Sequence, residues 1–206
     1  MSDATSSLTH YCELTIIPDP DIAPYFIWSK LFTQLHIALA EMKNKHDIES
    51  IGVSFPDYHY DDKKEKSSKL GVKLRVFASN QKDLETLNLD NWLSRLTDYV
   101  HIKGIKDVPI DKITGYVSVH RYRFKPIEVQ VESLAKKMEI SNDEAMAIVV
   151  KRKAELKLPF IRMFSESNKA HYPLQILQQP SKQDVTGGFN VYGMNGMRDN
   201  VTVPQW

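Results

Sequence analysis

The order of strand-like and helix-like segments in the first half of the chain restricts its fold more than any other feature. Four short segments have the length and residue types of strands: residues 9–17, 50–55, 71–79 and 100–105. Apolar residues recur every three or four positions in two longer segments, at 24–43 and 81–99, which predicts helices. The resulting order β-α-β-β-α-β is typical of the ferredoxin-like arrangement, which RNA-recognition domains also use.

A new pattern begins after Pro109. Ser141 and Glu144 form a capping box, which opens a helix through residue 156. Residues 127–139 have a weaker helical pattern. Further strands are predicted at residues 115–125, 159–165, 172–178 and 189–192.

These two patterns predict an α+β protein with two domains. We expect a ferredoxin-like (RRM-like) domain at residues 1–109 and a smaller α+β domain at 110–206. No composition break marks the boundary near residue 110.

The net charge limits how this chain can hold nucleic acid. Its 206 residues include 27 Lys and Arg against 26 Asp and Glu, a formal net charge of +1. Proteins that hold nucleic acid by bulk charge are usually far more basic. RNA binding would therefore need local clusters. Arg121, Arg123 and Lys125 alternate with aromatic residues, which is a composition suited to RNA.

Cysteine content and hydropathy indicate the compartment. Cys12 is the only cysteine, so no internal disulfide or cysteine-rich zinc site is possible. No run of about 18 apolar residues is present, as a membrane-spanning helix would need. The first residues lack the basic and apolar regions of a signal peptide. We expect a cytoplasmic protein that does not contact a membrane.

His36 is the first candidate for chemistry. It lies on the predicted first helix between Phe32 and Leu39, where a histidine is most often a half-buried packing residue. The alternative is proton transfer near neutral pH, for which imidazole is well suited. No HExxH, cysteine-pair or clustered-carboxylate pattern accompanies it. We therefore predict neither a metal nor a cofactor.

Ser165, Ser167 and the glycine-rich tail are the remaining candidates. The serines follow a predicted strand, where hydroxyls usually satisfy turns but can also hold a ribose or a phosphate. The tail GGFNVYG (187–193) either supplies turns or carries a functional residue, and no Gly-Lys-Ser/Thr follows to make it a phosphate loop. From these residues alone, we predict an α+β protein with a candidate RNA-binding cluster.

Six sequence tracts, taken together, resemble one family. In chain order they are HYCELTIIPDPDIAP, LFTQLHIAL, IGVSFPD, KLGVKLRVFAS, LPFIRMFSES and GGFNVYG. This set closely resembles the type I-F CRISPR repeat-processing endoribonucleases. The resemblance runs from about residue 10 to the final VPQW.

The resemblance implies a catalytic set. The family's histidine matches His36, its active-site serine matches Ser165 with Ser167 as a neighbour, and its tyrosine matches Tyr192. The implied reaction is metal-independent attack of the RNA's own 2′-hydroxyl on the adjacent phosphate, which yields a 2′,3′-cyclic phosphate and a 5′-hydroxyl. His36 would take the hydroxyl proton, Ser165 would fix the ribose, and Tyr192 would support that geometry.

The resemblance also implies an RNA-binding surface in the C-terminal domain. Arg121 matches an arginine that pairs with a guanine edge, and Tyr172 matches an aromatic residue that stacks on the terminal base pair. Arg123 departs from the glutamine of the best-known form, which suggests a different base pair or a phosphate contact. Further basic contacts are expected from Lys125, Lys136 and Lys137. The helix at 127–139 is arginine-poor compared with the family, so fewer phosphate contacts and a shallower salt dependence are expected.

The implied partners are the hairpin of a CRISPR repeat RNA, which stays bound after cleavage, and the other subunits of a type I-F effector complex. The protein is expected to be a monomer on the RNA. An alternative is a mainly structural hairpin-binding subunit of an effector or RNA-guided transposition complex. The histidine, serine and tyrosine favour the enzyme, since a structural subunit needs none of them.

Overall fold

The computed structural model describes residues 8–61, 68–155, 157–165 and 169–206. Within these ranges, the first half contains five strands and three helices, and strands flank two helices in the second. In chain order the elements are β1 (His10–Ile16), α1 (Pro24–His46), β2 (Gly52–Ser54), β3 (Lys73–Ala78), α2 (Gln81–Leu87), α3 (Leu89–Trp92), β4 (Val100–Ile102), β5 (Lys106–Asp107), β6 (Gly115–Tyr122), α4 (Ile127–Met138), α5 (Asn142–Glu155), β7 (Phe160–Ser165), β8 (Ala170–Ser181) and β9 (Val203–Gln205).

The first sheet has the ferredoxin-like topology that the sequence predicts. Its strands lie in the order β2-β3-β1-β4, all neighbours antiparallel, and the short β5 pairs with the start of β1. The α+β fold class is therefore confirmed. One side of the sheet buries Cys12, Leu14 and Ile16 of β1, since alternate residues of a strand share a face.

Helix α1 supplies much of the core. Its buried residues follow the helical period and are Ile27, Trp28, Leu31, Phe32, Leu35, Ala38, Leu39 and Met42. Pro24 stands in the first turn, where its missing N–H costs no hydrogen bond. The helix ends where Asp47 adopts the left-handed conformation, with φ 56°.

The second sheet has the order β7-β8-β6-β9 and lies against the first through one continuous core. All strands of the first sheet precede residue 110, and all strands of the second follow it. Because the core includes residues from both halves, the assignment of two separate domains at 1–109 and 110–206 stays a prediction.

The open face of the first sheet, which RNA-recognition domains use for stacking bases, is covered by the chain's own C-terminus. Tyr11 and Phe77 pair across β1 and β3 on this face, and the Trp206 ring contacts both edge-on, with centroids 4.9 Å and 5.9 Å away. Gly52 lies on the same face. A Cβ there would come within 2.6 Å of the Phe189 ring. This face is an internal interface of the protein.

Helices α4 and α5 form a hairpin with a small core of their own. Val131, Ala145 and Val149 are buried between them, apart from the main core. The capping box predicted at Ser141 and Glu144 is present, since each residue hydrogen-bonds the other across the first turn of α5.

Two sequence-based assignments were wrong, and the short strands β5 and β9 were not predicted. The helix predicted at 81–99 is broken at Asn88, whose left-handed φ of 47° ends α2, and asparagine tolerates this conformation. The strand predicted at 189–192 is instead a turn, in which the Asn190 side chain accepts a hydrogen bond from the Tyr192 N–H at 2.9 Å. The strand β9 was not predicted, because three residues that include Pro204 give too short a pattern.

Candidate active site

His36 lies at the border between the buried and exposed sides of α1. Leu35 is buried and Ile37 is exposed, so the imidazole is half-buried. Its Nδ1 lies 2.8 Å from the carbonyl oxygen of Val191. A carbonyl oxygen can only accept, so Nδ1 carries the proton and Nε2 of the neutral ring keeps a lone pair. The histidine is therefore held in the tautomer that a general base requires.

Tyr192 fixes the plane of that imidazole. The two rings are stacked with centroids 4.0 Å apart and planes 3° from parallel. Burial lowers the pKa of His36 below its ordinary value. The Val191 hydrogen bond raises the pKa by less than burial lowers it, and the positive charge of Arg121 adds a further, smaller lowering. The neutral form of the imidazole is thus favoured near pH 7.

The turn that carries Tyr192 is attached to both sheets. The Gly193 carbonyl accepts a hydrogen bond from the Val53 N–H of β2 at 2.9 Å. The backbone N–H and the backbone carbonyl of Asn195 each form a hydrogen bond with the backbone of β6. Gly193 has a φ of 68°, and a Cβ at this position would lie 2.7 Å from Val53 Cγ1. The glycine therefore permits the close approach that brings the tyrosine over His36.

Two more predicted site residues lie on the inner face of the second sheet, which is the face directed toward α1. Met163 of β7 contacts Thr33 of α1, with Oγ1 and Sδ 4.0 Å apart. Ser165, two residues further along β7, lies on the same face, and Tyr172 of β8 is the cross-strand partner of Met163. The Tyr172 and Tyr192 hydroxyls are 2.9 Å apart. Ser165 and Tyr172 thus lie on the face of the second sheet that is directed toward α1, the helix that carries His36.

Arg121 completes the cluster. It pairs with buried Ile176 across β6 and β8, so its half-buried side chain also belongs to the inner face. The guanidinium carbon lies 4.3 Å from the centre of the Tyr192 ring. Because His36 already covers one face of that ring, the guanidinium occupies the other. The sequence indicated an RNA contact at Arg121 but not its place beside the histidine.

Among the other predicted RNA-binding residues, Arg123 lies close enough to the cluster for its charge to lower the pKa of Arg121, whereas the three lysines lie outside it. Arg123 and Lys125 are exposed just beyond the end of β6, and Lys136 and Lys137 are exposed in the last turn of α4. Ser167 lies outside the described residues.

Two features that sequence reasoning missed hold the site together. One is the Val191 carbonyl, a backbone group 155 residues from His36 along the chain, for which no sequence signal exists. The other is the tyrosine–tyrosine contact, which gives Tyr172 a role in addition to the stacking expected of it.

A large cleft is distinct from this cluster. It has a volume of about 1030 Å³ and is lined by Tyr25, Trp28 and Phe160, among others, near the beginning of α1. His36 lies two helical turns beyond Trp28, about 12 Å along the axis. In the described ranges, no three His, Cys, Asp or Glu side chains converge as a metal-binding group.

Comparisons with known proteins show the family of this chain. A family model for "CRISPR-associated protein (Cas_Csy4)" matches residues 11–206. The chain belongs to this family. It is 32% identical over 191 residues to the CRISPR-associated endonuclease Cas6/Csy4 of Pseudomonas aeruginosa (strain UCBPP-PA14), covering 91% of this chain and 96% of the relative. The protein of that name from Escherichia coli (strain UTI89 / UPEC) is 28% identical over 200 residues, with 96% and 99% covered.

A solved structure described as CRISPR associated protein Cas6 is more distant from this Cas_Csy4 chain. It is 15% identical with a TM-score of 0.34, covering 97% of this chain and 99% of that one. This likeness is too weak to carry an argument, and the fold assignment depends on the strand order described above. Within the described residues, no helix has the length and apolar character needed to span a bilayer.

Proposed function

We propose that this protein is an endoribonuclease that processes CRISPR repeat RNA by metal-independent attack of the RNA's own 2′-hydroxyl. The stacked pair of His36 and Tyr192 carries this proposal. A neutral imidazole held by a carbonyl at Nδ1, with Nε2 left as a base, is the arrangement needed to take a hydroxyl proton. Membership of a family whose relatives are named endonucleases supports it.

In this mechanism each inner-face residue has one task. His36 Nε2 removes the 2′-hydroxyl proton, and the oxygen then attacks the adjacent phosphorus to give a 2′,3′-cyclic phosphate and a 5′-hydroxyl. Ser165, at the end of β7, holds the ribose so that the attack is in line. Tyr192 is a positioning residue that keeps the imidazole plane fixed.

The RNA hairpin is proposed to lie against the second sheet and α4. Tyr172 is proposed to stack on the terminal base pair, and Arg121 and Arg123 to contact the end of the stem. Lys125, Lys136 and Lys137 are proposed to contact phosphates. Because α4 also exposes Glu128 and Glu132, the salt dependence of binding is expected to be shallow.

The product is proposed to remain bound as the 3′ hairpin of the guide RNA, with one cytoplasmic monomer per hairpin in a type I-F effector complex. The second candidate is a mainly structural hairpin-binding subunit with little turnover. The mixed charge of α4 is the observation in its favour. The fixed tautomer of His36 favours the enzyme, because hairpin binding alone does not require it.

The two candidates are separated by single-turnover cleavage of a hairpin-bearing repeat RNA. A matched RNA with a 2′-deoxy nucleotide immediately before the cut serves as the control. We expect cleavage of the first RNA, equal affinity for both, and no cleavage of the second. Tight binding of both RNAs without any cut would support the structural subunit instead. Cleavage of the 2′-deoxy RNA would exclude the 2′-hydroxyl mechanism.

A further inference from the structure

The peptide unit between Val191 and Tyr192 is hydrogen-bonded at both of its ends. Its carbonyl oxygen lies 2.8 Å from Nδ1 of His36. Its N–H donates to the side-chain oxygen Oδ1 of Asn190 at 2.9 Å. A trans peptide is planar, with its N–H and C=O directed to opposite sides, so rotation of one end rotates the other. The Asn190 side chain and the His36 imidazole therefore hold one rigid plane from opposite sides.

This peptide is the central unit of a β-turn. The Gly193 N–H donates to the Asn190 carbonyl at 2.8 Å, and the Asn190 N–H donates to the Met194 carbonyl at 2.9 Å. The central peptide of a β-turn can take two orientations, those of types I and II, which differ by roughly half a rotation. Such a rotation would direct the Val191 carbonyl away from His36. The Asn190 side chain can accept only in the observed orientation, so its hydrogen bond favours the one that presents the carbonyl to the imidazole.

The same hydrogen bond makes the carbonyl a better acceptor. Hydrogen bonds in a chain polarise one another, so a bond at the N–H of a peptide strengthens a bond at its C=O. A stronger acceptor at Val191 favours the proton on Nδ1 of His36, and in a neutral ring this leaves Nε2 with its lone pair. A carbonyl that is rotated away would allow the proton to move to Nε2, where it would block the base.

We propose that Asn190 is a positioning residue for catalysis, which acts through the Val191–Tyr192 peptide to hold His36 in its Nδ1-protonated tautomer. The peptide then has the task of the carboxylate that orients the histidine in a hydrolytic triad. Asn190 itself transfers no proton. The expected effect on cleavage rests on the proposed function, whereas the effect on the tautomer is a property of the RNA-free protein and can be measured without it.

The test compares wild type with Asn190→Ala, which removes the acceptor, and with Asn190→Asp, which keeps an acceptor oxygen and adds a negative charge. Asn80→Ala is the matched control, because the Asn80 side chain accepts from the Asp83 N–H at 2.9 Å, at the start of α2. Thermal melting shows which variants fold. The tautomer of His36 is measured in RNA-free protein, from the NMR shifts of both imidazole nitrogens at a pH where the ring is neutral. The pH dependence of single-turnover cleavage is then measured for each variant.

We expect the wild-type ring to be protonated at Nδ1. Asn190→Ala should move part of the population to the Nε2-protonated tautomer and slow cleavage by about tenfold, the effect of losing about one hydrogen bond. The loss should be partial, because the rotated turn also requires a positive φ at Tyr192, which an aromatic residue rarely adopts.

Asn190→Asp should keep the tautomer and most of the rate at high pH. A negative charge near an imidazole raises its pKa, so the acid limb of the rate should move to higher pH in this variant. Asn80→Ala should lose stability and leave the tautomer and the pH profile unchanged.

An Asn190→Ala variant with the wild-type tautomer and pH profile would overturn the inference, since Asn190 would then serve only the stability of the turn. Equal slowing of Asn190→Asp and Asn190→Ala at high pH would also overturn it, because the aspartate keeps the acceptor. If Asn190→Ala does not fold, the direction in which Asn190→Asp moves the acid limb decides alone. Wild-type protein that cuts no repeat RNA would refute the proposed function, and the tautomer comparison would then decide whether Asn190 orients the imidazole.

Discussion

Two arginines in this chain lie against aromatic rings, but their charge partners differ. Arg75 lies 3.9 Å from the centre of the Trp206 ring, and its Nε donates to the buried Glu13 carboxylate at 2.9 Å. Arg121 lies 4.3 Å from the centre of the Tyr192 ring, and no carboxylate neutralises it within the described ranges. Both guanidinium groups thus lie over an aromatic ring, but among the described residues only the charge of Arg75 is compensated by a carboxylate.

The difference separates a structural cluster from a reactive one. Lys103 also donates to Glu13, at 2.7 Å, and Arg75 bonds the C-terminal carbonyl of Trp206 at 3.2 Å. The Glu13 carboxylate and both of its cationic partners are therefore paired within the protein, and the cluster closes the face of the first sheet. The cluster around Tyr192 instead leaves Nε2 of His36 and the guanidinium of Arg121 to a ligand. We infer that stability depends on the first cluster and chemistry on the second.

The largest expected effect is on the reactive side of this comparison. His36→Ala removes the general base and should lower the single-turnover cleavage rate by about 10²- to 10⁴-fold. Affinity for the 2′-deoxy hairpin should change little, because the imidazole contacts the site of reaction rather than the stem. His46→Ala, at the exposed end of the same helix, is the matched control. A His36→Ala variant that cuts at the wild-type rate would remove the chemistry from this cluster.

Glu13→Ala tests the structural side. It leaves the buried Arg75 guanidinium without its carboxylate, a change that typically costs about 3–5 kcal/mol of stability. Denaturant unfolding should show this loss, while the folded fraction should still cleave at the wild-type rate. Glu41→Ala is the control, since its exposed ion pair with Lys45 should contribute about 1 kcal/mol or less. Equal losses for Glu13 and Glu41 would contradict the structural role.

The pH dependence of the cleavage rate tests the electrostatic coupling between His36 and Arg121. Only neutral His36 can accept the proton, so the rate should fall as pH decreases through the pKa of His36. That pKa is lowered by burial, so the acid limb should lie below about 6.5, the value for a solvated histidine. Arg121→Gln removes a neighbouring positive charge and should move the limb to higher pH. No movement, or movement to lower pH, would show that the two groups are not coupled in this way.

The smallest effect is expected from the tyrosine hydroxyl. Tyr192→Phe keeps the ring between His36 and Arg121 and removes only the contact with the Tyr172 hydroxyl, worth about 0.5–1.5 kcal/mol. The rate should therefore fall by about tenfold at most. Tyr58→Phe removes a hydroxyl bonded to Ile176 elsewhere in the core and should affect stability alone. A much larger loss in Tyr192→Phe would mean that the hydroxyl itself takes part in the reaction.

The sequence was sufficient for the fold of the first sheet because its strands and α1 have strong periodic patterns. Its errors occurred at two asparagines, where Asn88 ends α2 through a left-handed backbone conformation and the Asn190 side chain accepts from the Tyr192 N–H, since such local features leave no periodic signal. The resemblance pointed to His36, Ser165 and Tyr192 as site residues, which remain predictions. It did not indicate the backbone carbonyl that selects the tautomer of His36.

The contrast between Arg75 and Arg121 was also hidden in the sequence. Both arginines occur in alternating strand segments, as RVF and RYR. Only the cross-strand register shows that Glu13 lies opposite Arg75, whereas Ile176 lies opposite Arg121. Strand pairing is a long-range property, so the charge partner of a strand residue cannot be found from its neighbours in the chain.

The most direct test of this account is incubation of a hairpin-bearing type I-F repeat RNA with wild type and with His36→Ala, both in excess chelator, followed by analysis of the RNA ends. We predict one cut at the 3′ base of the hairpin by wild type, with a 2′,3′-cyclic phosphate on the upstream product, and loss of this cut in the variant. A cut that requires added divalent metal, or a 3′-hydroxyl at the new end, would contradict the mechanism. Tight binding without any cut would contradict the assignment as an enzyme.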